Sequence, residues 1–170
     1  YFASREEIFL RMFLVDFSEW ADEFIAVLKT LPADTPAKEL AEAWVEILFK
    51  HERMLDLTPL LGVALERNAS EGVLFHFKLN MHQLLAHLVD GLAVPLPMMS
   101  AEQGSDLITR VHGLVAGLWP FTKPNEIMVA VVQRPELGPS QFNFNDLLLG
   151  AIEIFVRDIR KCTPPCESEV

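Results

Sequence analysis

The chain begins with YFASREEIFLRMF, residues 1–13, and this stretch predicts how the first helix starts. Ser4 is a favourable N-cap residue, and Glu7 follows it at the three-residue spacing of a capping box. In that motif the serine hydroxyl accepts from the glutamate amide, and the glutamate carboxylate accepts from the serine amide. Because the stretch opens on Tyr-Phe with no methionine and no polar lead-in, we expect a folded segment upstream of Tyr1.

This stretch also resembles the junction of TetR-family transcription regulators, where the DNA-reading helix meets the first long helix of the regulatory domain. The matching residues are Tyr1, Phe2, Ser4, Arg5, Glu6, Glu7, Ile8 and Phe9, with Arg5 in place of the more usual lysine. The resemblance implies that residues 1–4 are the remnant of a junction with an N-terminal helix-turn-helix domain. It further implies a ligand-controlled regulator, usually a repressor, that works as a homodimer.

The start of this helix allows two interpretations. A helix N-terminus carries unpaired amides and a partial positive charge, which suit a phosphate group. Tyr1 and Arg5 lie beside that end, so they could contact DNA phosphates and set the register of the protein on DNA. The other interpretation is an ordinary capped surface helix with a solvated arginine. The residues alone favour the second, whereas the resemblance favours a DNA phosphate contact by Tyr1 and Arg5.

Composition indicates one globular domain that does not itself bind nucleic acid. The 170 residues are 51% hydrophobic and 22% charged, which suits a sizeable core. The formal net charge is -10, from 14 basic and 24 acidic residues, and this sign is wrong for a DNA-binding surface. Any contact with DNA is therefore expected from a basic domain upstream of Tyr1.

Several kinds of chemistry find no support in the sequence. It has no apolar run of about 18 residues and no signal peptide, so we expect a cytoplasmic protein with no membrane partner. No phosphate-binding loop, nucleophile motif or metal-spaced histidine pair is present, so we expect no enzyme activity, metal or cofactor. Cys162 and Cys166 are expected to be reduced and unpaired.

Start signals and apolar spacing predict an all-α domain of about six to seven helices. The ligand-binding and dimerisation domain is expected to span residues 5–161, followed by a flexible tail at 162–170. Asn125 to Gln133 could form a short helix or, given its valines, a strand; a helix is favoured because no partner strand exists elsewhere. The predicted helices span about 5–31, 36–52, 60–67, 69–93, 100–119, 125–133 and 143–161.

The resemblance implies a ligand pocket among the predicted helices, and a mostly apolar and aromatic lining there would suit an apolar or aromatic small molecule. His51 falls on the apolar side of the second helix, where it is either a core histidine bonded to a carbonyl or a polar group in the pocket. A polar stripe on the helix at 69–93, formed by His76, Asn80, Gln83 and His87, is either solvated or a pocket wall. The predicted ligand-binding residues are Trp44, Leu48, His51, Phe77, Met81 and His112.

A small-residue face on the helix at 100–119 indicates close approach of another helix. Glycine costs a helix about 1 kcal/mol relative to alanine, so two glycines in one turn need a reason. The last helix has an apolar arc wide enough for its own core and a second chain. The last two long helices are therefore predicted to form a four-helix bundle between two subunits. The predicted interface residues are Ser105, Thr109, Gly113, Gly117, Leu148, Ile152, Phe155 and Ile159.

The sequence thus predicts a ligand-responsive transcriptional regulator, with a small-molecule effector and a second copy of itself as partners. The function and the DNA role come from the resemblance, whereas the helix layout comes from the residues. The alternative is a helical carrier or scavenger of apolar small molecules with no DNA role. That protein would need the pocket but no basic domain upstream.

Overall fold

The computed structural model describes residues 4–138 and 143–162, apart from the side chain of Cys162. In this part of the chain all regular structure is helical, which confirms the all-α prediction. Residues 1–3, which include Tyr1, and the tail with Cys166 lie outside the described residues. The α-helices are α1 Arg5–Leu28, α2 Ala37–Leu48, α3 Glu52–Leu57, α4 Glu71–Leu92, α5 Ala101–Leu118, α6 Glu126–Val132 and α7 Phe144–Cys162.

Shorter helical turns connect some of these helices. A 3-10 turn at Thr58–Leu60 and a π-type turn at Leu61–Leu65 follow α3 directly. Further 3-10 turns lie at Trp119–Thr122 and Pro135–Leu137, on either side of α6. The predicted single helix at 60–67 is therefore wrong, because the helical path begins at Glu52 and changes its hydrogen-bond pattern twice before α4.

Local side-chain caps set several helix starts, and the structure shows the serine half of the capping box predicted for α1. The Glu7 amide donates to Ser4 Oγ at 3.2 Å, at the start of α1. Ser100 and Gln103 form a full capping box at α5, with bonds of 3.1 and 2.8 Å. The Asn125 side chain accepts from the amide three residues later at 2.8 Å, so the segment that could have been a strand is the helix α6.

The first two helices end earlier than predicted. α1 stops at Leu28 rather than near residue 31, and α2 stops at Leu48 rather than near residue 52. After α2 the amides of Lys50 and His51 bond to carbonyls only three residues back, which tightens the last turn. The backbone then leaves the helical conformation at His51, with φ -109° and ψ 58°. His51 consequently lies before α3 and not on the face of α2.

A continuous row of aromatic rings forms the centre of the core. Phe17 and Trp20 on α1 have ring centroids 5.1 Å apart, and Trp20 stacks on Phe24 at 5.6 Å. The row crosses to α2 where Phe24 meets Trp44 at 4.8 Å. Such pairs contribute about 0.5–1.5 kcal/mol each beyond the burial of their area. The aromatic stripe of α1 is therefore core, although Phe9 at its beginning is exposed.

Helices α3, α4 and α7 pack against α1 or α2. α4 packs against α1 and α5, while α7 packs across α2 and α5. Arg53 of α3 is tied to buried Asp16 of α1 by two hydrogen bonds, at 2.7 and 2.5 Å. Arg160 of α7 donates to the backbone carbonyl of Thr35, just before α2. None of the helices at 4–138 and 143–162 is long and apolar enough to cross a membrane.

Candidate functional site

A cavity of about 370 Å³ lies between helices α1, α2, α4 and α5. Met54 of α3 and the two helical turns that follow α3 complete its wall. Most of its wall is apolar and buried. Lys78, His82 and Thr109 also line it but are exposed, so the cavity reaches the surface between α4 and α5. Its lining residues are Phe17, Trp20, Trp44, Leu48, Met54, Thr58, Leu61, Glu66, Phe77, Lys78, Met81, His82, Leu85, Ile108, Thr109, Val111, His112 and Val115.

The α-helical period explains how α4 contributes two kinds of side chain to one wall. Phe77, Met81 and Leu85 follow one another at steps of four, so they share a face that points inward. Lys78 and His82 form the neighbouring row, one residue further along. Because adjacent residues are rotated by about 100°, this second row lies at the rim of the apolar face. The border between the two rows is the mouth of the cavity.

An ion pair spans this mouth. Lys78 Nζ lies 2.6 Å from Glu66 Oε1, and the side chains are 57% and 24% exposed. Glu66 directly follows the π-type turn, so the pair joins that turn to α4. Since the lysine is more than half exposed, solvent screens the pair and its contribution to stability is small. The pair therefore matters more as a polar rim than as a stabilising contact.

His112 of α5 faces the same region from the opposite helix. Burial lowers the pKa of His112 below its usual value, with a smaller raising effect from Glu66 and a lowering effect from Lys78. A lowered pKa keeps the imidazole neutral at neutral pH, so one ring nitrogen can donate a hydrogen bond and the other can accept one. The cavity thus has a neutral polar group on α5 near its charged rim.

The structure brings together five of the six predicted ligand-binding residues. Trp44, Leu48, Phe77, Met81 and His112 all line the cavity. The signal for Trp44, Leu48, Phe77 and Met81 was their position on the apolar faces of α2 and α4.

His51 does not line the cavity, and the reason is the early end of α2. Its Nε2 lies 3.4 Å from a carboxylate oxygen of Glu23 on α1, outside hydrogen-bond geometry. His51 is mostly buried outside the cavity, which fits a core histidine rather than a pocket residue, although its Nε2 has no hydrogen-bond partner among the described residues. The prediction placed His51 beside Trp44 and Leu48 because it extended the second helix to residue 52.

Apart from His112, the polar lining was not predicted as part of the pocket. Glu66, Lys78 and His82 were not among the predicted residues, because the polar stripe predicted on α4 is a different one, which is exposed to solvent along its whole length. That outcome confirms the solvated interpretation of the stripe. The available signal was the position of Lys78 and His82 directly after Phe77 and Met81. The exposed stripe consists of His76, Asn80, Gln83 and His87.

The predicted interface residues of α5 form an open surface. Ser105, Thr109, Gly113 and Gly117 are all exposed. A Cβ placed on either glycine would meet no heavy atom of the described residues within 4 Å. Nothing in that part of the chain therefore explains the two glycines, and a contact with a second chain remains a prediction. Thr109 also lines the cavity mouth, so this surface and the mouth adjoin.

The predicted interface residues of α7 are differently placed. Leu148 and Ile152 are fully buried in their own chain, so they have no surface to offer a second chain. Phe155 and Ile159 are half-buried. The outer face of α7 instead carries other apolar side chains, Leu147 at 50% and Ile154 at 63% exposure. The spacing of apolar residues predicted the apolar arc of α7 correctly. It did not predict which part of that arc packs against the chain's own core.

The predicted DNA contact is placed only in part. Arg5 is the first residue of α1 and is exposed beside its N-terminus, where a phosphate could approach. Tyr1 lies outside the described residues. No group of three or more metal-binding side chains occurs within residues 4–138 and 143–161.

The described helices form an all-α domain, and α1 to α5 surround an apolar cavity with a polar mouth, an arrangement that can enclose a small molecule. Residues 14–160 match the family described as Tetracyclin repressor-like, C-terminal domain. The match covers most of the chain, and the chain therefore belongs to this family of transcription regulators. Domains of this family generally dimerise and bind small-molecule effectors. A comparison with curated proteins gives no match.

Proposed function

We propose that the chain is the regulatory domain of a ligand-responsive transcriptional repressor, with an apolar or aromatic effector bound in the cavity. The observation that carries this proposal is the cavity of about 370 Å³ inside a domain of this family. Its volume and its mostly apolar wall with a few polar groups are typical of small-molecule sites. Binding rather than catalysis is proposed, in keeping with the typically non-enzymatic domains of the family.

The position of α1 supports a route from the cavity to DNA. Phe17 and Trp20 of α1 line the cavity, and the same helix runs back to the Ser4 cap. A helix-turn-helix domain is proposed to precede Tyr1, with Tyr1 and Arg5 contacting phosphates. A ligand that fits one position of α1 better than another shifts the population between the two. Such a shift changes the spacing of the two DNA-reading units in a dimer.

The homodimer is proposed to form through the outer faces of α5 and α7. The open small-residue stripe of α5 allows close approach of a second helix, and exposed Leu147 and Ile154 give α7 an apolar outer face. Two helices from each subunit make an isologous four-helix bundle. Because α5 also lines the cavity through Ile108 and His112, the ligand would adjoin a helix of the interface.

A carrier or scavenger of apolar molecules is the second candidate, and the formal net charge of -10 favours it. Such a protein would use the cavity without any response on DNA. The two proposals therefore differ in one property, which is the effect of a bound ligand on DNA affinity.

Fluorescence anisotropy with the full-length protein distinguishes them. The protein first selects a DNA site from a random pool, and the labelled site is then titrated with and without a saturating bicyclic aromatic ligand. The repressor proposal predicts that the ligand lowers the DNA affinity at least tenfold, which corresponds to about 1.4 kcal/mol of coupling. Ligand binding with no change in DNA affinity, or no selected DNA site at all, would refute the repressor and support the carrier.

A further inference from the structure

We infer that the ligand carries a neutral hydrogen-bond acceptor, such as a carbonyl oxygen, which the indole N–H groups of Trp20 and Trp44 bind at the buried end of the cavity. This inference rests on the proposed ligand-binding function. It adds the chemical class of the ligand and the end of the cavity at which its polar group lies.

The two indoles are the starting observation. Trp20 and Trp44 line the cavity and are only 3% and 1% exposed. Both Nε1 atoms are buried, and no atom of residues 4–138 or 143–162 accepts a hydrogen bond from them. A buried donor without an acceptor is costly, and tryptophan N–H groups ordinarily find a partner when buried. An acceptor brought by a ligand would remove that cost.

The neighbouring side chains do not supply this acceptor. Trp20 lies between Phe17 and Phe24, and Trp44 lies against Phe24. Aromatic rings accept only weak hydrogen bonds. These neighbouring rings therefore offer the indole donors no strong acceptor.

Three polar side chains of the cavity wall besides Lys78, those of Glu66, Thr58 and Thr109, already have partners elsewhere. Glu66, the acidic residue of the lining, is paired with Lys78 at the mouth. The hydroxyl of Thr58 donates to the Met54 carbonyl at 2.8 Å within its own helical turn. The residues of the cavity wall thus include two indole donors without an acceptor, whereas the ion pair at the mouth is already formed, and an acceptor-bearing ligand complements the indoles.

The acceptor is inferred to be neutral. A carboxylate at the buried end would lose its hydration and gain only two uncharged donors, which is a poor exchange for an ion. A ketone, ester or amide oxygen loses far less on burial. The cation that could hold a carboxylate, Lys78, lies at the exposed mouth and already has a partner.

Trp119 provides a matched control within the same chain. It too is buried, but its Nε1 donates to Asp56 Oδ1 at 2.8 Å and it does not line the cavity. The Trp119→Phe variant therefore removes an indole N–H of the same kind without touching the cavity.

The test compares two probes of nearly the same shape by isothermal titration calorimetry. The ketone 2-acetylnaphthalene has a carbonyl oxygen where 2-isopropenylnaphthalene has a methylene group. We expect the ketone to bind about tenfold more tightly, as one hydrogen bond gained by a buried donor predicts. The preference should shrink toward onefold in Trp20→Phe and Trp44→Phe and stay unchanged in Trp119→Phe.

The outcomes separate this inference from the proposed function. Equal affinity for the two probes would overturn the inference and leave the ligand-binding function standing. If neither probe binds, the cavity does not take apolar aromatic molecules and the proposed function fails with it. Tighter binding of 2-naphthoate than of the ketone would contradict the neutral acceptor.

An NMR measurement on the unmodified chain covers the case in which a tryptophan variant does not fold. The indole N–H resonances of the three tryptophans are followed during titration with each probe. The ketone should shift the signals of Trp20 and Trp44 downfield more than the alkene does, and it should leave Trp119 in place. Identical shifts from both probes would overturn the inference.

Discussion

Replacing Gly113 by leucine should weaken dimerisation while leaving the fold intact. Gly113 lies in the middle of α5 and is exposed. No described heavy atom lies within 4 Å of a Cβ placed there, so the single chain has room for the new side chain. Glycine is about 0.8–1 kcal/mol worse than alanine inside a helix, and leucine is close to alanine. The isolated chain should therefore gain about 0.5–1 kcal/mol of stability.

The effect on the dimer has the opposite sign. If α5 meets a second helix at this stripe, each added leucine enters a packed contact, and such overpacking costs about 1–3 kcal/mol. A two-fold interface contains the substitution twice, which gives about 2–6 kcal/mol in total. The dissociation constant should then rise by about 30-fold at the least.

Sedimentation velocity over a range of protein concentrations measures this constant, and urea unfolding of the same samples measures the fold. Gly72→Leu is the matched control, because Gly72 is also an exposed helical glycine with open space around it, but on α4. An unchanged dimer in Gly113→Leu would refute the proposed role of the α5 stripe. Weakened dimers in both variants would show that the effect is not specific to α5.

Three further results are expected. Phe77→Ala should lower the affinity for a cavity ligand at least tenfold by calorimetry, because it removes a wall of the site. The control Phe121→Ala, at an exposed residue outside the cavity, should leave the affinity unchanged. An equal loss of affinity in both variants would show that the ligand does not bind at Phe77. Gly104→Val should destabilise the chain by about 1–3 kcal/mol in urea, since even a Cβ meets Val89 at 3.0 Å; an unchanged midpoint would contradict this packing. Because the folded pKa of His112 is lowered, the unfolded chain binds this proton more readily. The stabilising contribution of neutral His112 is therefore complete above about pH 6.5 and is lost as the pH falls through the lower folded pKa. The free energy of unfolding of His112→Gln should consequently fall less than that of the wild type between pH 7.5 and 5.5. Equal losses in the two proteins would contradict the lowered pKa.

Helix starts were predictable because their signals are local. A capping box needs only Ser100 and Gln103, three residues apart, and both bonds form in the structure. Helix ends were less predictable. α2 ends at Leu48 without a nearby glycine or proline, and the turn to α3 is set by packing against α1. Because α2 ends at Leu48, His51 lies outside the predicted site.

The apolar part of the cavity was predictable, whereas its mouth was not. Spacing at steps of four places Phe77 and Met81 on one inward face whatever the neighbours are. The partnership of Glu66 with Lys78 depends on the path of the chain through a π-type turn, which has no simple sequence pattern. The position of such a rim follows from tertiary packing rather than from local preference.

Burial within one chain and burial between chains leave the same sequence pattern. Leu148 and Ile152 were assigned to a second chain but fill the core against α2 and α5. Leu147 and Ile154 lie off the main apolar arc and are the ones left outside. The spacing of apolar residues predicts that a side chain is buried. Only the folded structure shows whether its own chain or a second chain buries it.

Methyl NMR of the methionines would locate the ligand in the protein. Met54 and Met81 line the cavity, whereas Met98 and Met128 are exposed and lie outside it. During titration with 2-acetylnaphthalene, the methyl signals of Met54 and Met81 should shift to saturation and those of Met98 and Met128 should stay in place. Saturable shifts confined to Met98 or Met128, or no saturable shift at any methionine, would contradict a ligand site in this cavity.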